Sequence, residues 1–301
     1  MPDTQAQIIH LINGSQAALL RRENALAGQI VRAYENARRD LVARFTDQFG
    51  RLGDNPAPEQ IRQLANDASL IRAIDQRLAD LQSDLLRIIN PGLTDVSTAA
   101  FEQAAQEMIL LADALGVNFF QFAIDPMLEL TIGPALDQVP GLMSTISSQI
   151  TATMREMLAS GDRFSAIVRA IYGQNESVFA RGRTSAELMI RRAVIQAANN
   201  SRLLYFESAK KQIGGLQKQA VAAVGTDTTE TCLKVHGQIQ DLDKPFHVVG
   251  RPSFGEWQMA PPFHWNCRTT TAPYHPVFER ISSQSTPDLQ AAARAELNAR
   301  S

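Results

Sequence analysis

Lysine, cysteine and tryptophan are missing from the first 200 residues of this 301-residue chain, although arginine is plentiful there. All the lysines fall between Lys210 and Lys244. Both cysteines, both tryptophans (Trp257, Trp265) and four of the 5 histidines (His236, His247, His264, His275) lie between residues 232 and 275. Two cysteines are too few for a disulfide scaffold. No apolar run approaches the roughly 18 residues of a membrane span, so no membrane partner is expected. The opening stretch MPDTQAQIIHLINGSQ has no apolar h-region, so no signal peptide is expected either. A net charge of -2 and a pI near 6.2 give no global basis for binding nucleic acid. A glycine-rich phosphate loop, a nucleophile elbow and an HExxH helix are all absent. The composition therefore implies a soluble chain made in a reducing cytoplasm, with a change of character near Gly214-Gly215.

What is present before that point is helix. Ile8, Ile12, Leu19, Leu26, Ile30, Ala33, Ala37, Leu41 and Phe45 recur at helical spacing, which predicts one long helix, or two collinear ones, over 4–49. Gly14 and Gly28 weaken it by about 1 kcal/mol each relative to alanine. GRLGDNPAP (50–58) is a breaker. Ile61, Leu64, Ala68, Ile71, Ile74, Leu78, Leu81, Leu85 and Ile88 then step by three or four, the narrow seam of a coiled coil. Pro91-Gly92 is expected to end it. The pattern predicts a hairpin over 1–95, about 60 Å long at 1.5 Å per residue, suited to docking on a partner. A helical domain over 96–214 follows, with 118–133 ambiguous between helix and strand. Arginines such as Arg38, Arg39, Arg191 and Arg192 are interleaved with acids, as on a solvated face.

After Gly215 the segments LQKQAVAAVG and PFHVVG read as short strands, which predicts a small α+β module over 215–276. The fold class expected is mainly α, with a small C-terminal α+β module and a coiled-coil-like hairpin. The polar tail over 277–301 carries a short helix. A module this small has a thin core and gains from a staple. Cys232, His236, His264 and Cys267 offer two sulfurs and two imidazoles, a donor set for tetrahedral zinc. The same cysteines also suit plain packing as small buried hydrophobes, or a disulfide. A nuclease reading rests on His264 and Asn266, with the histidine as general base beside a metal. No carboxylates stand at a fixed spacing to hold magnesium; Asp227, Asp241 and Asp243 are near only in sequence.

The stretch GTDTTETCLKVHGQI … APPFHWNCRTTTAPY resembles the C-terminal module of phage Mu F-like minor head proteins, also called phage head morphogenesis proteins. Their pattern is an aspartate, a C-x2-C pair, x2-L-x-G, and later P-P-x-H-P-N-C-R-C. Asp227, Cys232, Val235, Gly237, Pro261, Pro262, His264, Asn266, Cys267 and Arg268 fall on it. Either Arg191-Ala197-Asn199 or Arg192-Ala198-Asn200 fits the preceding helix, and the resemblance covers about 140–275. Thr229 and Thr269 stand where the family has its first and last cysteines, and Trp265 replaces a proline. Cys232 and Cys267 are thus the retained half of a four-cysteine pattern.

The resemblance implies a non-enzymatic virion protein, present in the capsid and in host cytoplasm during assembly. Its implied partners are the portal protein or the major capsid protein, in an oligomer around a ring-shaped partner, with packaged DNA as a further partner. Two alternatives remain open at this stage. One is a metal-dependent nuclease centred on His264. The other is a DNA-binding accessory protein that uses the Lys210–Lys244 cluster and is ejected with the genome.

Overall fold

The computed structural model describes residues 4–53, 56–64, 67–277 and 286–300. The side chains of Leu64 and Ala68, the Asp54-Asn55 pair and the start of the polar tail lie outside the described residues. The chain is mainly α with a small C-terminal α+β module, as its patterning implies. In order it forms α1 (Thr4–Gly50), α2 (Pro58–Leu64), α3 (Ala68–Leu115), α4 (Asp125–Leu136), α5 (Gln138–Ser160), α6 (Phe164–Tyr172) and α7 (Val178–Ala209). The module follows as β1 (Gln217–Ala222), α8 (Glu230–Val235), β2 (Ile239–Asp241), β3 (Phe246–His247), β4 (Trp257–Gln258) and β5 (Thr269–Tyr274). The tail helix is α9 (Thr286–Asn298).

One expectation is corrected. Pro91-Gly92 does not end the second long helix, which runs through it to Leu115. The seam explains why. Leu81, Leu85, Ile89, Leu93 and Val96 continue at helical spacing across the proline, and all are buried. Pro91 and Arg87 are exposed, so the Arg87 carbonyl that loses its donor faces water. Continuous burial of apolar surface outweighs a local break of about 3 kcal/mol. The seam also shifts by one position at two places: Leu70 and Ile89 are buried, rather than Ile71 and Ile88.

The compact units are discontinuous in sequence. One comprises 25–91 and 134–190, the other 1–24, 92–133 and 191–301. In the first, the rings of Phe45, Phe49 and Phe164 pack within 4.7–6.3 Å of one another. Tyr172 meets Phe45 edge-on at 6.0 Å. Arg183 of α7 reaches Glu35 of α1 at 2.6 Å, and Arg77 of α3 reaches Asp40 at 2.9 Å. The expected hairpin is therefore packed into a bundle with α5, α6 and α7. Gly182 of α7 gives α5 its close approach, because a Cβ there would stand 2.8 Å from Ile146 Cδ1.

The second unit carries the α+β module. Its main sheet has the order β2-β1-β5, antiparallel throughout, with Gln217 opposite Tyr274 and Ala222 opposite Thr269. The Ala223 amide donates to Arg268 O, so the alternation aims the backbone groups of Thr269, Thr271 and Pro273 away from β1. Pro273 thus sits where its missing N–H breaks no ladder bond. α7 satisfies this outer edge. Asn199 Nδ2 donates to Thr269 O at 3.3 Å, the Thr271 amide donates to Asn199 Oδ1 at 2.7 Å, and Arg202 Nε donates to Thr271 O at 2.6 Å. Arg202 is itself buried and paired with buried Glu107 of α3 at 2.5 Å. Burial pushes the Glu107 carboxyl up, while Arg202 and Gln103 pull it back down.

Removing one partner of such a pair strands a buried charge, at a cost of about 3–5 kcal/mol, whereas apolar replacement of both is close to neutral. Arg202→Ala is expected to destabilise the full chain by about that amount in chemical denaturation. The double variant Arg202→Met with Glu107→Leu should recover part of the loss, since methionine leaves Thr271 O without the Arg202 donor. If the double variant is no more stable than the single one, the pair is not the source.

Candidate functional site

Two short segments meet inside the module. The first is the start of α8. Thr229 is its N-cap, and its hydroxyl accepts from the Cys232 amide at 3.4 Å. One turn on, Cys232 faces inward and is buried. Gly237 follows at φ 78°, a left-handed position that excludes most side chains, and its amide donates to Ala220 O of β1. The second segment is the PPFHWNCR turn, in which the peptide between Pro261 and Pro262 is cis. Asn266 sits at φ 58°, which asparagine tolerates better than most residues. That bend lets the Cys267 amide donate to His264 O at 3.3 Å and carries both side chains to the same side.

The donor atoms of Cys232, His264 and Cys267 lie within 4.8 Å of one another, and all three residues are buried. Cys232 Sγ is 3.6 Å from Cys267 Sγ and 2.8 Å from His264 Nε2. Thr229 and Thr269 complete the ring. Thr229 Oγ1 is 2.7 Å from His264 Nε2, and Thr269 Oγ1 donates to Cys232 Sγ at 2.9 Å. His264 Nδ1 lies 2.5 Å from Trp265 O. A carbonyl only accepts, so Nδ1 carries the proton and Nε2 presents a lone pair to the thiols and the Thr229 hydroxyl. The Cys267 side chain, then the Thr269 and Thr229 hydroxyls, lower the Cys232 thiol to about 7 against its burial. Burial pushes the Cys267 thiol well up. Burial pulls His264 down, but the Cys267 side chain and the Trp265 carbonyl outweigh it, and the imidazole is raised overall.

His236, expected as a fourth ligand, is not in this group among the described residues. It ends α8, and its Nδ1 accepts the Ala222 amide at 2.9 Å. Asp227 is exposed and stands 4.0 Å from Arg268. Asp241 accepts from Gln217 at 2.8 Å. No carboxylate belongs to the His264 cluster among the described residues. The lysines do not form one stripe either. Lys218 is buried, donates to Leu242 O at 3.0 Å and Met259 O at 2.8 Å, and is lowered to about 8 by that burial. Lys234 pairs with Glu230. Of the two helix registers left open by sequence, Arg191-Ala197-Asn199 is the one whose asparagine holds β5, while Arg191 pairs with Glu23 at 2.6 Å. Sequence reading missed β5 and Arg202. The signal for them was the β-branched run Thr269–Thr271, and an asparagine and an arginine three apart on one helix face.

Helices leading into a small antiparallel sheet, closed by a Cys-His-Cys knot, define a helical protein with a compact C-terminal module. Residues 148–272 match the family model described as Phage Mu protein F like protein, and it is to that family that this segment of the chain is similar. No curated protein and no solved structure matches the chain. No helix among the described residues is long and apolar enough to cross a membrane.

Burial lowers His236 from 6.5 to about 4, so the folded state keeps it neutral where the unfolded chain takes a proton. The unfolded state then binds more protons between those two values, and stability falls as pH drops from 6.5 toward 4. The span corresponds to about 3 kcal/mol. His236→Gln, whose amide can still accept the Ala222 N–H, is expected to flatten this stretch of the stability–pH profile. An unchanged slope would show that another group titrates. Asn266→Val should cost about 1–2 kcal/mol in denaturation, and Asn266→Gly much less.

Proposed function

We propose that the chain is a structural protein of a phage head that acts in head morphogenesis, held in few copies at the portal vertex or the capsid interior. The observation that carries this reading is the Mu F-like match over 148–272. The geometry supports it. Gly237, Pro261, Pro262, Asn266 and Cys267 shape two turns, and Cys267 with Pro261 and Pro262 is buried. Asn199 is spent on the edge of β5. These residues build a module. Contacts to portal or capsid subunits fall to the exposed faces of the long helices. On α1, Arg32, Arg39 and Arg44 are exposed while the other side buries Ile30, Ala37, Leu41 and Phe45.

Quantitative mass spectrometry of purified particles, scaled to portal subunits, tests the proposal. A few to a few tens of copies per particle is the expected result. Absence from mature particles would overturn it and leave an assembly factor or a protein of infected cells. Deleting residues 1–95 is a poor probe of docking, because that segment supplies core to the rest of the chain. The double charge reversal Arg32→Glu with Arg44→Glu is expected to lower incorporation with thermal stability unchanged. Unchanged incorporation would remove this face of α1 as the docking surface.

A further inference from the structure

We propose that Cys232 Sγ, Cys267 Sγ and His264 Nε2 form a three-ligand site for zinc, with Thr229 Oγ1 beside the remaining coordination position. Three features of the geometry carry the proposal. First, the sulfurs are already placed. Two sulfurs each about 2.3 Å from a tetrahedral ion stand about 3.8 Å apart, and here they are 3.6 Å apart. A sulfur and an imidazole nitrogen on such an ion stand about 3.5 Å apart. Cys232 Sγ and His264 Nε2 are 2.8 Å apart, so the imidazole has to withdraw by less than an ångström.

Second, the histidine is in the ligating tautomer. Its Nδ1–H is committed to Trp265 O, the outer-shell bond that commonly orients a metal-bound imidazole. Third, the ligand set has a way in. Thr229 and His264 both line a cleft of about 290 Å³, together with Arg251 and Trp265. Two thiolates against one divalent cation leave the buried group neutral, which removes the cost of isolated buried charge. Plain packing explains the burial of two cysteines in the apolar cluster with Val235, Phe246 and Phe263. It does not explain a histidine lone pair aimed at both sulfurs. The ion would hold α8 to the PPFHWNCR turn, the staple that a module with a thin core lacks.

Binding protons and a metal ion at the same thiols is competitive, so the test is run at neutral pH on full-length chain kept reduced and stripped with a chelator. Cobalt(II) is titrated in first. A thiolate-to-cobalt charge-transfer band that saturates at one ion per chain, and is displaced by zinc, is expected. Elemental analysis of chain refilled with zinc should give one ion per chain. The band should be lost in Cys232→Ser, Cys267→Ser and His264→Ala, and kept in His236→Gln. Because the loss variants can fail through misfolding, Thr229→Cys provides a gain: a third thiolate should intensify the band and tighten binding. No band in either the unmodified chain or Thr229→Cys overturns the proposal. A band that survives the double Cys232→Ser/Cys267→Ser change does so too, as does a Cys232–Cys267 disulfide found in chain kept under reductant. Particle composition does not enter this test, so the site stands or falls apart from the head-protein reading.

Discussion

The free edge of β5 is the constraint from which much of the second unit follows. A three-stranded sheet has two edges, and an unpaired edge exposes backbone donors and acceptors. Here the edge is turned inward, where water cannot serve it. Two side chains of α7, three residues apart, take the role of a fourth strand: Asn199 with one acceptor and one donor, and Arg202 with a donor. Using arginine for this has a consequence. Its charge is buried, so Glu107 must be buried opposite it, and Gln103 donates to the second Glu107 oxygen at 2.9 Å. The path runs from a strand edge through α7 to α3, and each step follows from satisfying the group before it.

This dependence also explains the length of α7. Its first residues pack α5 through Gly182, and its last third holds β5. A helix that stopped after Val194 would leave Thr271 without partners. Gln16 of α1 closes the remaining corner: its amide nitrogen reaches Val221 O at 3.2 Å and Arg268 O at 3.3 Å. The sheet is thus held by polar side chains from helices far away in sequence as well as by its own ladder.

That distance in sequence is why only part of the structure was legible beforehand. The long helices and β1 follow from periodicity, because a 3.6 or 2.0 repeat of apolar residues carries its own burial. Pro91 misleads for a physical reason: a helix breaker reports local propensity, whereas the buried seam from Leu81 to Val96 is set by packing. Cys232, His264 and Cys267 were legible as chemistry, since their residue types are scarce and clustered in the chain. His236 looked equivalent on spacing alone. Only the register of β1 beside α8 shows that its Nδ1 is taken by the Ala222 amide. β5 was not legible, because TTTAPY is short, contains a proline and owes its order to Asn199 and Arg202 some seventy residues earlier.

The threonines at 229 and 269 show how hydroxyls keep the cluster ordered beside its two thiols. A hydroxyl donates a stronger hydrogen bond than a thiol, so each threonine keeps a polar contact with the cluster. Thr229 gains something cysteine supplies poorly, an N-cap for a helix of only 6 residues, while still reaching His264. Thr269 gains a β-branched residue at the start of β5 and still donates to Cys232. At both positions local secondary structure shares the burden of order with the cluster. The donors that remain are those whose positions are fixed by turns, Cys232 by its capped helix and His264 with Cys267 by the bend at Asn266. A module arranged in this way keeps its fold from its turns and its sheet edge, and those turns bring two thiols and one imidazole together.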